Sequence, residues 1–328
     1  MGEAIPDSGD GAIVEVEGVA KTFTVTRREG RVRRRRVEVR AVDDVTFRID
    51  PGERVGYIGP NGAGKSTTIK MLTGILVPSA GRVRVGGLEP SRQRVALARR
   101  IGVVFGQRTQ LWWDLPLADS FDLLRHIYRV PADRHRANLA EFTELLEMEP
   151  FLTTPVRQLS LGQRMRGELA AALLHDPELV FLDKPTIGLD VVSKHRVRAF
   201  LADLNERRGT TVLLTTHDLA DIERLCPRML VIDHGRVLID GPVTALRDRY
   251  GTERTVVVDL EEPGPPLVVP GTNVVGVEGP RQWLRFQRDE TTAAAVVAAV
   301  VAVARVRDLS IEEPDIEEIV RRLYTERR

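Results

Sequence analysis

Residues 59–67 read GPNGAGKST, which fits the pattern G-x-x-x-x-G-K-[ST] of a loop that binds nucleotide phosphates. The apolar stretch RVGYIG precedes this loop and KSTTIKMLTGIL follows it, so the loop is predicted to connect a strand to a helix. Its glycines allow consecutive backbone N–H groups to converge on phosphate oxygens, Lys65 adds a positive charge, and the Ser66 hydroxyl can bind Mg²⁺. The predicted nucleotide-binding residues are Gly59, Pro60, Asn61, Gly62, Ala63, Gly64, Lys65, Ser66 and Thr67, of which Ser66 also binds the metal.

The length and composition of the chain limit its domain organisation and the class of protein to which it can belong. The chain has 328 residues, 42% of them hydrophobic, which is enough for one large α/β domain and a smaller one. Its net charge of +1 offers no reason to expect nucleic acid as a partner. The single cysteine, Cys226, excludes internal disulfides and suits a reducing cytoplasm. The polar first residues do not resemble a secretory signal, and we expect residues 1–12 to form a disordered tail.

The hydrophobic pattern divides the rest of the chain into segments. The runs ELVFLD and TVLLTTH are continuously apolar, as is typical of parallel strands that are covered on both faces. The stretch from about Ser120 to Leu174 is mostly helical in pattern, whereas the alternation in AIVEVEGVAKTFTV predicts an edge-type strand. From residue 251 onwards, strands and helices mix with a proline-rich stretch, which predicts a small α+β domain over 251–328. Within it, TTAAAVVAAVVAVA would rise only about 21 Å as a helix, too short for a bilayer core of about 30 Å, so we expect a buried helix.

A second candidate anion site lies in the stretch QLSLGQRMRGELAAALLH. Its pattern places Ser160, Gly162 and Gln163 at the start of a helix. Free backbone N–H groups and the positive end of the helix dipole favour a bound anion there. A serine that only caps its helix would leave the same pattern.

Polar residues also follow the predicted strands. Gln107 follows the apolar strand GVVF, and Asp183 ends ELVFLD, where it is placed to hold Mg²⁺ through water. Asp190 lies seven residues further on, and His217 ends the next apolar run. None of these residues is informative alone, but together with the phosphate loop and the helix start they form an ordered series.

That series resembles the ATP-binding subunit of ABC transporters over about residues 13–245. The resemblance implies a P-loop NTPase fold of the α/β class, with a helical subdomain near 108–174, an antiparallel β subdomain and an ATP-binding domain spanning 13–250. It implies ATP and Mg²⁺ as cofactors, and a head-to-tail homodimer in which each ATP bridges the phosphate loop of one copy and the LSLGQ signature of the other. The implied catalytic residues are Gln107, Asp183, Lys184 and His217, the implied metal ligands are Ser66, Gln107 and Asp183, and further nucleotide contacts are implied for Ser160, Gly162, Gln163 and Asp190.

A narrower resemblance rests on FGQRTQLWWDLP, LSLGQRMRGELAAALLH and DLSIEEPDIEEIVRRLY. These stretches look like the ATPase subunits of ABC-2-type exporters of the daunorubicin- and viologen-resistance kind. The resemblance implies two integral-membrane permease subunits docking near Gln107, Trp112 and Trp113, a peripheral location at the cytoplasmic face of the cell membrane, and no nucleic acid. The paired tryptophans suit an interface hot spot, although core packing would explain them equally well.

Two positions depart from the family pattern. Leu161 replaces the first glycine of the usual L-S-G-G-Q, a modest change because backbone N–H groups meet the phosphate. Lys184 stands where the family has a glutamate that polarises the attacking water. An ammonium has no lone pair to accept a proton, so hydrolysis is expected to be slow unless another group, such as His217, substitutes. The chain is therefore either an ATPase or an ATP-binding clamp with impaired hydrolysis.

Two further features of the sequence each have two interpretations. Phe23 lies where the family usually has an aromatic ring that stacks on adenine, but it could also be a core strand residue. The arginine-rich run over 27–36 predicts a hairpin tip that either attracts anionic lipid headgroups or is simply solvated.

Overall fold

The computed structural model describes residues 11–29, 33–106, 108–216, 218–251, 253–313 and 316–325. These residues form two compact units that divide between Asp240 and Gly241. Residues 1–10 of the predicted tail lie outside the described residues. Each unit has its own sheets, so each is described separately.

The first unit is built around a six-stranded sheet in the order β5-β6-β7-β3-β8-β9. Parallel pairing joins β5 to β6, β6 to β7, β7 to β3 and β3 to β8. The two runs predicted to be covered on both faces are β6 and β7, and every residue of β7 is buried. The strands are β3 (Arg54–Ile58), β5 (Ile101–Phe105), β6 (Leu179–Asp183), β7 (Thr211–Thr215), β8 (Arg228–Asp233) and β9 (Arg236–Pro242).

An antiparallel sheet packs into the same core. It has the order β2-β1-β4, with β1 at Val14–Glu29, β2 at Arg33–Ile49 and β4 at Ala80–Val85. Strand β1 pairs with β4 as far as Ala20, and from there it pairs with β2 alone up to Glu29 opposite Arg33. This register confirms a hairpin around the arginine-rich run, whose residues 30–32 lie outside the described part of the chain.

Helices cover the sheets of the first unit. Three of them, α3 to α5, lie within residues 108–174, where the sequence predicts a helical subdomain. The helices are α1 (Lys65–Leu72), α2 (Arg94–Ala98), α3 (Leu117–Tyr128), α4 (Ala132–Leu145), α5 (Leu161–Leu173), α6 (Val191–Arg208) and α7 (Leu219–Leu225), with two short 3₁₀ turns at Glu149–Phe151 and Val156–Gln158. The parallel sheet, the antiparallel sheet and the helical segment together confirm the predicted α/β class.

The second unit is a small α+β structure, as the sequence predicts. Its antiparallel sheet has the order β11-β12-β10-β13. The inner face of this sheet, with Leu284 and Phe286 at its centre, packs against Val296 and Val300. The elements are α8 (Val243–Tyr250), β10 (Glu253–Leu260), β11 (Thr272–Glu278), β12 (Arg281–Gln287), α9 (Ala293–Val303), β13 (Val306–Glu312) and α10 (Ile316–Thr325).

The alanine- and valine-rich helix α9 differs from the prediction. It was expected to be a buried helix, but only Val296 and Val300 are buried, while Val301 and Val303 are 58% and 61% exposed. The expectation was wrong because the sheet covers one side of the helix, and residues four apart share that side. Among the described residues, no helix combines the length and apolarity needed to span a membrane.

Candidate nucleotide site

The loop over residues 59–67 connects the end of β3 to the start of α1, as predicted. Gly64 has φ of +103°, in the left-handed region that side chains rarely occupy. Gly59 is required for a different reason, since a Cβ there would lie 2.4 Å from the carbonyl oxygen of Ile232 on β8. The loop is therefore seated against the neighbouring strand, and its backbone conformation depends on glycine at both positions.

Lys65 begins α1 and is almost fully buried. Its Nζ donates hydrogen bonds to the carbonyl oxygens of Gly59 at 2.5 Å and of Pro60 at 2.9 Å. Burial lowers the pKa of Lys65, the positive charge of Lys184 lowers it further, and the Asp183 carboxylate acts in the opposite direction. The ammonium is thus held directly over the loop, where a phosphate would give it the anionic partner that its own loop does not provide.

Asp183, at the carboxyl end of β6, lies at the centre of a small hydroxyl–carboxylate cluster. Ser66 Oγ donates to Asp183 Oδ2 at 3.0 Å, and Thr215 Oγ1 donates to Asp183 Oδ1 at 2.5 Å. A serine hydroxyl and a carboxylate this close are hard oxygen donors of the kind that Mg²⁺ prefers. Within the described residues no cluster of three or more His, Cys, Asp or Glu forms a metal cage, and a Mg²⁺ bound mainly by nucleotide phosphates does not need one.

Thr215 was missed by the sequence reasoning. It ends β7 and lies directly opposite Asp183 in the parallel register. The signal was present, because adjacent parallel strands end at the same edge of the sheet and TVLLTTH places a hydroxyl there. Identifying it required knowing that β6 and β7 are neighbours.

Lys184 follows Asp183 in a left-handed conformation with φ of +60°. Its backbone N–H donates to the carbonyl oxygen of Thr215 at 2.8 Å, which anchors the turn between β6 and the next loop. Its positive charge also contributes to lowering the pKa of Lys65, after the larger effect of burial. The end of β6 therefore presents one carboxylate and one ammonium beside the phosphate loop.

Ser160 is the N-cap of α5. Its Oγ accepts a hydrogen bond from the Gln163 N–H at 3.2 Å, and Gln163 Oε1 accepts one from the Ser160 N–H at 2.9 Å. This reciprocal capping box uses both side chains to hold the first turn in place. Gly162 lies in that turn, where a Cβ would come within 2.9 Å of Ser193 Oγ.

Asp190 caps α6 beside that turn. Its carboxylate accepts hydrogen bonds from the backbone N–H and from the hydroxyl of Ser193, both at 2.8 Å. These two hydrogen bonds hold the pKa of Asp190 below its usual range. Gly162, Asp190 and Ser193 thus form a second cluster, distinct from the one around Asp183.

The predicted aromatic residues lie away from the core. Phe23, on β1, is partly exposed and is absent from the buried core cluster, and Lys21 Nζ lies 5.3 Å from its ring centroid. Trp112 and Trp113 are 37% and 48% exposed, so core packing is the wrong explanation for them. Gln107 and His217 lie outside the described residues, and their roles stay predictions.

Comparisons with known proteins find similar sequences and folds. The family described as ABC transporter matches residues 42–187. A Nod factor export ATP-binding protein I of Paraburkholderia xenovorans is 40% identical over 214 residues, covering 64% of this chain and 68% of that protein. The daunorubicin resistance ATP-binding protein DrrA3 of Streptomyces coeruleorubidus is 34% identical over 287 residues, 85% of this chain and 90% of its own. A dimeric ATP-binding cassette, solved with ADP and phosphate in a post-hydrolysis state, superposes with a TM-score of 0.60 at 27% identity, covering 70% of this chain and 98% of that one.

Proposed function

Because the chain belongs to the ABC transporter family of ATP-binding proteins, we propose that it is the ATP-binding subunit of an ABC-2-type exporter, driven by head-to-tail dimerisation. The observation that carries this proposal is the cluster of Lys65, Ser66 and Asp183 around one phosphate-binding loop. The similarity to a drug-resistance ATP-binding protein over 85% of the chain supports the exporter assignment.

The residues around the phosphate loop contact different parts of Mg·ATP. Backbone N–H groups of residues 59–67 and the Lys65 ammonium would hold the phosphates, while Ser66 and Asp183 would hold Mg²⁺. A bound Mg²⁺ neutralises charge on the phosphate oxygens. Thr215 keeps the Asp183 carboxylate oriented towards Ser66, and Phe23 stacks on the adenine ring.

The second cluster supplies the other half of the nucleotide site in a second copy of the chain. The helix start at Ser160 and Gly162, with Gln163 and Asp190 supporting it, offers its N–H groups to the ATP held by the first copy. The two clusters share no residue, and the dimeric cassette found among similar structures supports this arrangement. ATP then holds the two copies together.

Sedimentation velocity with and without Mg·ATP tests the proposal directly. The native protein is expected to become dimeric when Mg·ATP is added. Lys65→Ala should lose ATP affinity by about 100-fold, because the buried ammonium supplies charge-assisted hydrogen bonds to the phosphates. Lys70→Ala, in the last turn of the same helix, is the matched control and should behave as the native protein does. A native protein that stays monomeric, or a Lys65→Ala variant with unchanged affinity, contradicts the proposal.

A second candidate function, a clamp with impaired hydrolysis, is favoured by Lys184. Members of the family generally hydrolyse ATP, and a general base contributes roughly 10²- to 10⁴-fold to such a rate. The Lys184 ammonium cannot accept the proton of an attacking water, but it can attract the terminal phosphate. Turnover then depends on Gln107 and His217, without the carboxylate that the family places after Asp183.

Turnover of the native protein and of Lys184→Glu separates the two candidates. If Lys184 impairs hydrolysis, Lys184→Glu is expected to be faster by about 10²-fold or more and to bind ATP more weakly. Lys184→Met removes the charge without adding a base, so it should change ATP affinity but not turnover. Equal turnover in the native protein and Lys184→Glu would identify the chain as an ordinary ATPase.

The exposed tryptophans provide a docking surface for membrane partners. Trp112 and Trp113 follow Gln107 closely, and the Arg164 guanidinium lies 5.6 Å from the Trp113 ring centroid. Two integral-membrane permease subunits bind there and hold the protein at the cytoplasmic face of the cell membrane; nucleic acid is not a partner. Changing both tryptophans to alanine should abolish co-purification with polytopic membrane proteins while leaving ATP affinity unchanged. Co-purification with nucleic acid instead would contradict this assignment.

In this scheme residues 13–250 form the ATP-binding domain and residues 251–328 an accessory domain. A fragment ending at residue 250 that binds Mg·ATP with native affinity would support the division.

A further inference from the structure

A buried carboxylate in the middle of α5 connects two parts of the site that are far apart in sequence. Glu168 is only 4% exposed. The Thr109 hydroxyl donates a short hydrogen bond to its Oε1, and the Gln110 N–H donates to its Oε2 at 3.2 Å. The Gln110 side-chain amide donates to the Glu168 carbonyl oxygen, also at 3.2 Å. Three hydrogen bonds thus attach residues 109 and 110 to the helix.

Apolar packing reinforces the attachment one residue away. Leu111 is buried, and its N–H donates to the Thr109 hydroxyl at 3.1 Å. Gly167 leaves room for it, because a Cβ there would lie 3.3 Å from Leu111 Cδ1 and 2.8 Å from Leu117 Cδ1. Leu111 and Leu117 therefore pack against α5 at a point where a larger residue at position 167 would displace them.

The two joined segments lead to different functional elements. One segment is helix α5, which Ser160 caps. Ser160 lies eight residues before Glu168, which corresponds to about 12 Å along the helix axis. The other segment starts two residues after Gln107 and continues into Trp112 and Trp113. The Trp113 carbonyl oxygen also accepts a hydrogen bond from the Arg157 N–H at 2.9 Å.

We propose that Glu168 is a positioning residue that makes the segment after Gln107 and the helix beginning at Ser160 move as one body. The inference rests on the proposed function, in which Gln107 responds to ATP and Ser160 faces the ATP of a second copy. Binding of ATP at the phosphate loop then moves the signature helix and the two tryptophans together. Without the contact, the segment can shift while α5 stays in place.

The chemistry of the contact explains why it holds. Burial raises the pKa of Glu168, and the hydrogen bonds from Thr109 and Gln110 act against that rise. A buried carboxylate that loses a donor keeps its desolvation cost, so the segment and the helix separate only at a penalty. Of the groups in this contact, the Thr109 hydroxyl can be removed with the smallest change in side-chain shape.

Thr109→Val tests the inference, since valine keeps the branched shape and removes the hydroxyl. ATP affinity is measured by titration calorimetry at protein concentrations too low for dimerisation, and Mg·ATP-driven dimerisation by sedimentation velocity. We expect ATP affinity within about twofold of native and a dimerisation constant weaker by about tenfold or more, because the variant loses the hydrogen bond to the Glu168 carboxylate and the one that the hydroxyl accepts from the Leu111 N–H. Thr109→Ser, which restores the hydroxyl, should recover dimerisation.

Thr143→Val is the matched control in the same subdomain. Thr143 lies on α4, and its buried hydroxyl has no hydrogen-bond partner among the described residues. It should dimerise as the native protein does. Thr109→Val dimerising normally would overturn the role of Glu168 and leave the proposed function intact. If the native protein itself neither binds ATP nor dimerises, the proposed function fails and the inference fails with it.

Discussion

Replacing Asp221 by alanine is predicted to be one of the most destabilising single changes in the first unit. Asp221 lies on α7, four residues after His217, and is fully buried. Its Oδ1 accepts a hydrogen bond from Arg198 Nε at 2.5 Å, and its Oδ2 accepts hydrogen bonds from the hydroxyls of Thr186 at 2.5 Å and Thr216 at 3.4 Å. One carboxylate therefore joins α6, α7 and the loops that follow β6 and β7.

The expected cost follows from what the substitution leaves behind. Asp221→Ala removes the nearer of two carboxylates from the Arg198 guanidinium, whose side chain is only 14% exposed and which then has only Asp218 at 3.8 Å, and it leaves two hydroxyls without their acceptor. Removing one partner of a buried ion pair costs about 3–5 kcal/mol. Asp203→Ala is the matched control, because Asp203 pairs on the same helix with Arg207, which is 64% exposed. That exposed pair is worth about 0.2–1 kcal/mol.

Urea unfolding of the first unit measures both changes. In a Trp283→Phe background the fluorescence comes from Trp112 and Trp113, which belong to that unit. With a slope of about 3 kcal/mol per molar urea, Asp221→Ala should lower the midpoint by about 1 M or more, and Asp203→Ala by about 0.3 M or less. If the two variants lose the same stability, the claim that Asp221 holds these four segments together is refuted.

Three further outcomes are expected. Gly59→Ala should weaken ATP binding about tenfold or more in a calorimetric titration, because its Cβ would meet the Ile232 carbonyl oxygen, whereas Gly241→Ala, with open space around it, should not. Burial raises the pKa of the Cys226 thiol to about 12, so iodoacetamide at pH 8 should label it only after urea unfolding, and labelling of the folded protein would contradict its burial. Burial raises the pKa of Glu168 above its ordinary 4.5, so the stabilising contribution of this group is complete below pH 4.5 and is lost as the pH rises through the raised value. The urea midpoint of Glu168→Gln, taken relative to that of the native protein, should therefore increase from pH 4 to pH 7. A difference between the two midpoints that stays constant with pH would contradict the raised pKa.

The parts of the site that sequence alone predicted are those whose chemistry is local. The phosphate loop depends on glycine conformations and backbone N–H groups within nine consecutive residues, and the capping residues of α5 lie within one turn. The parallel strands were recognisable because a strand covered on both faces is apolar throughout. Each of these patterns carries its own structural requirement, so no knowledge of distant contacts was needed.

Tertiary structure decided which distant residues meet and which faces are covered. Thr215 reaches Asp183, and Glu168 reaches Thr109, only because β6 lies beside β7 and α5 packs on the segment after Gln107. Missing knowledge of distant contacts also explains why α9 was wrongly predicted to be buried. Its sequence is uniformly apolar, so it has no periodicity to indicate that the sheet covers only one side of the helix. The composition of a segment shows how apolar it is. Which other element of the fold covers that segment depends on the packing of the whole chain.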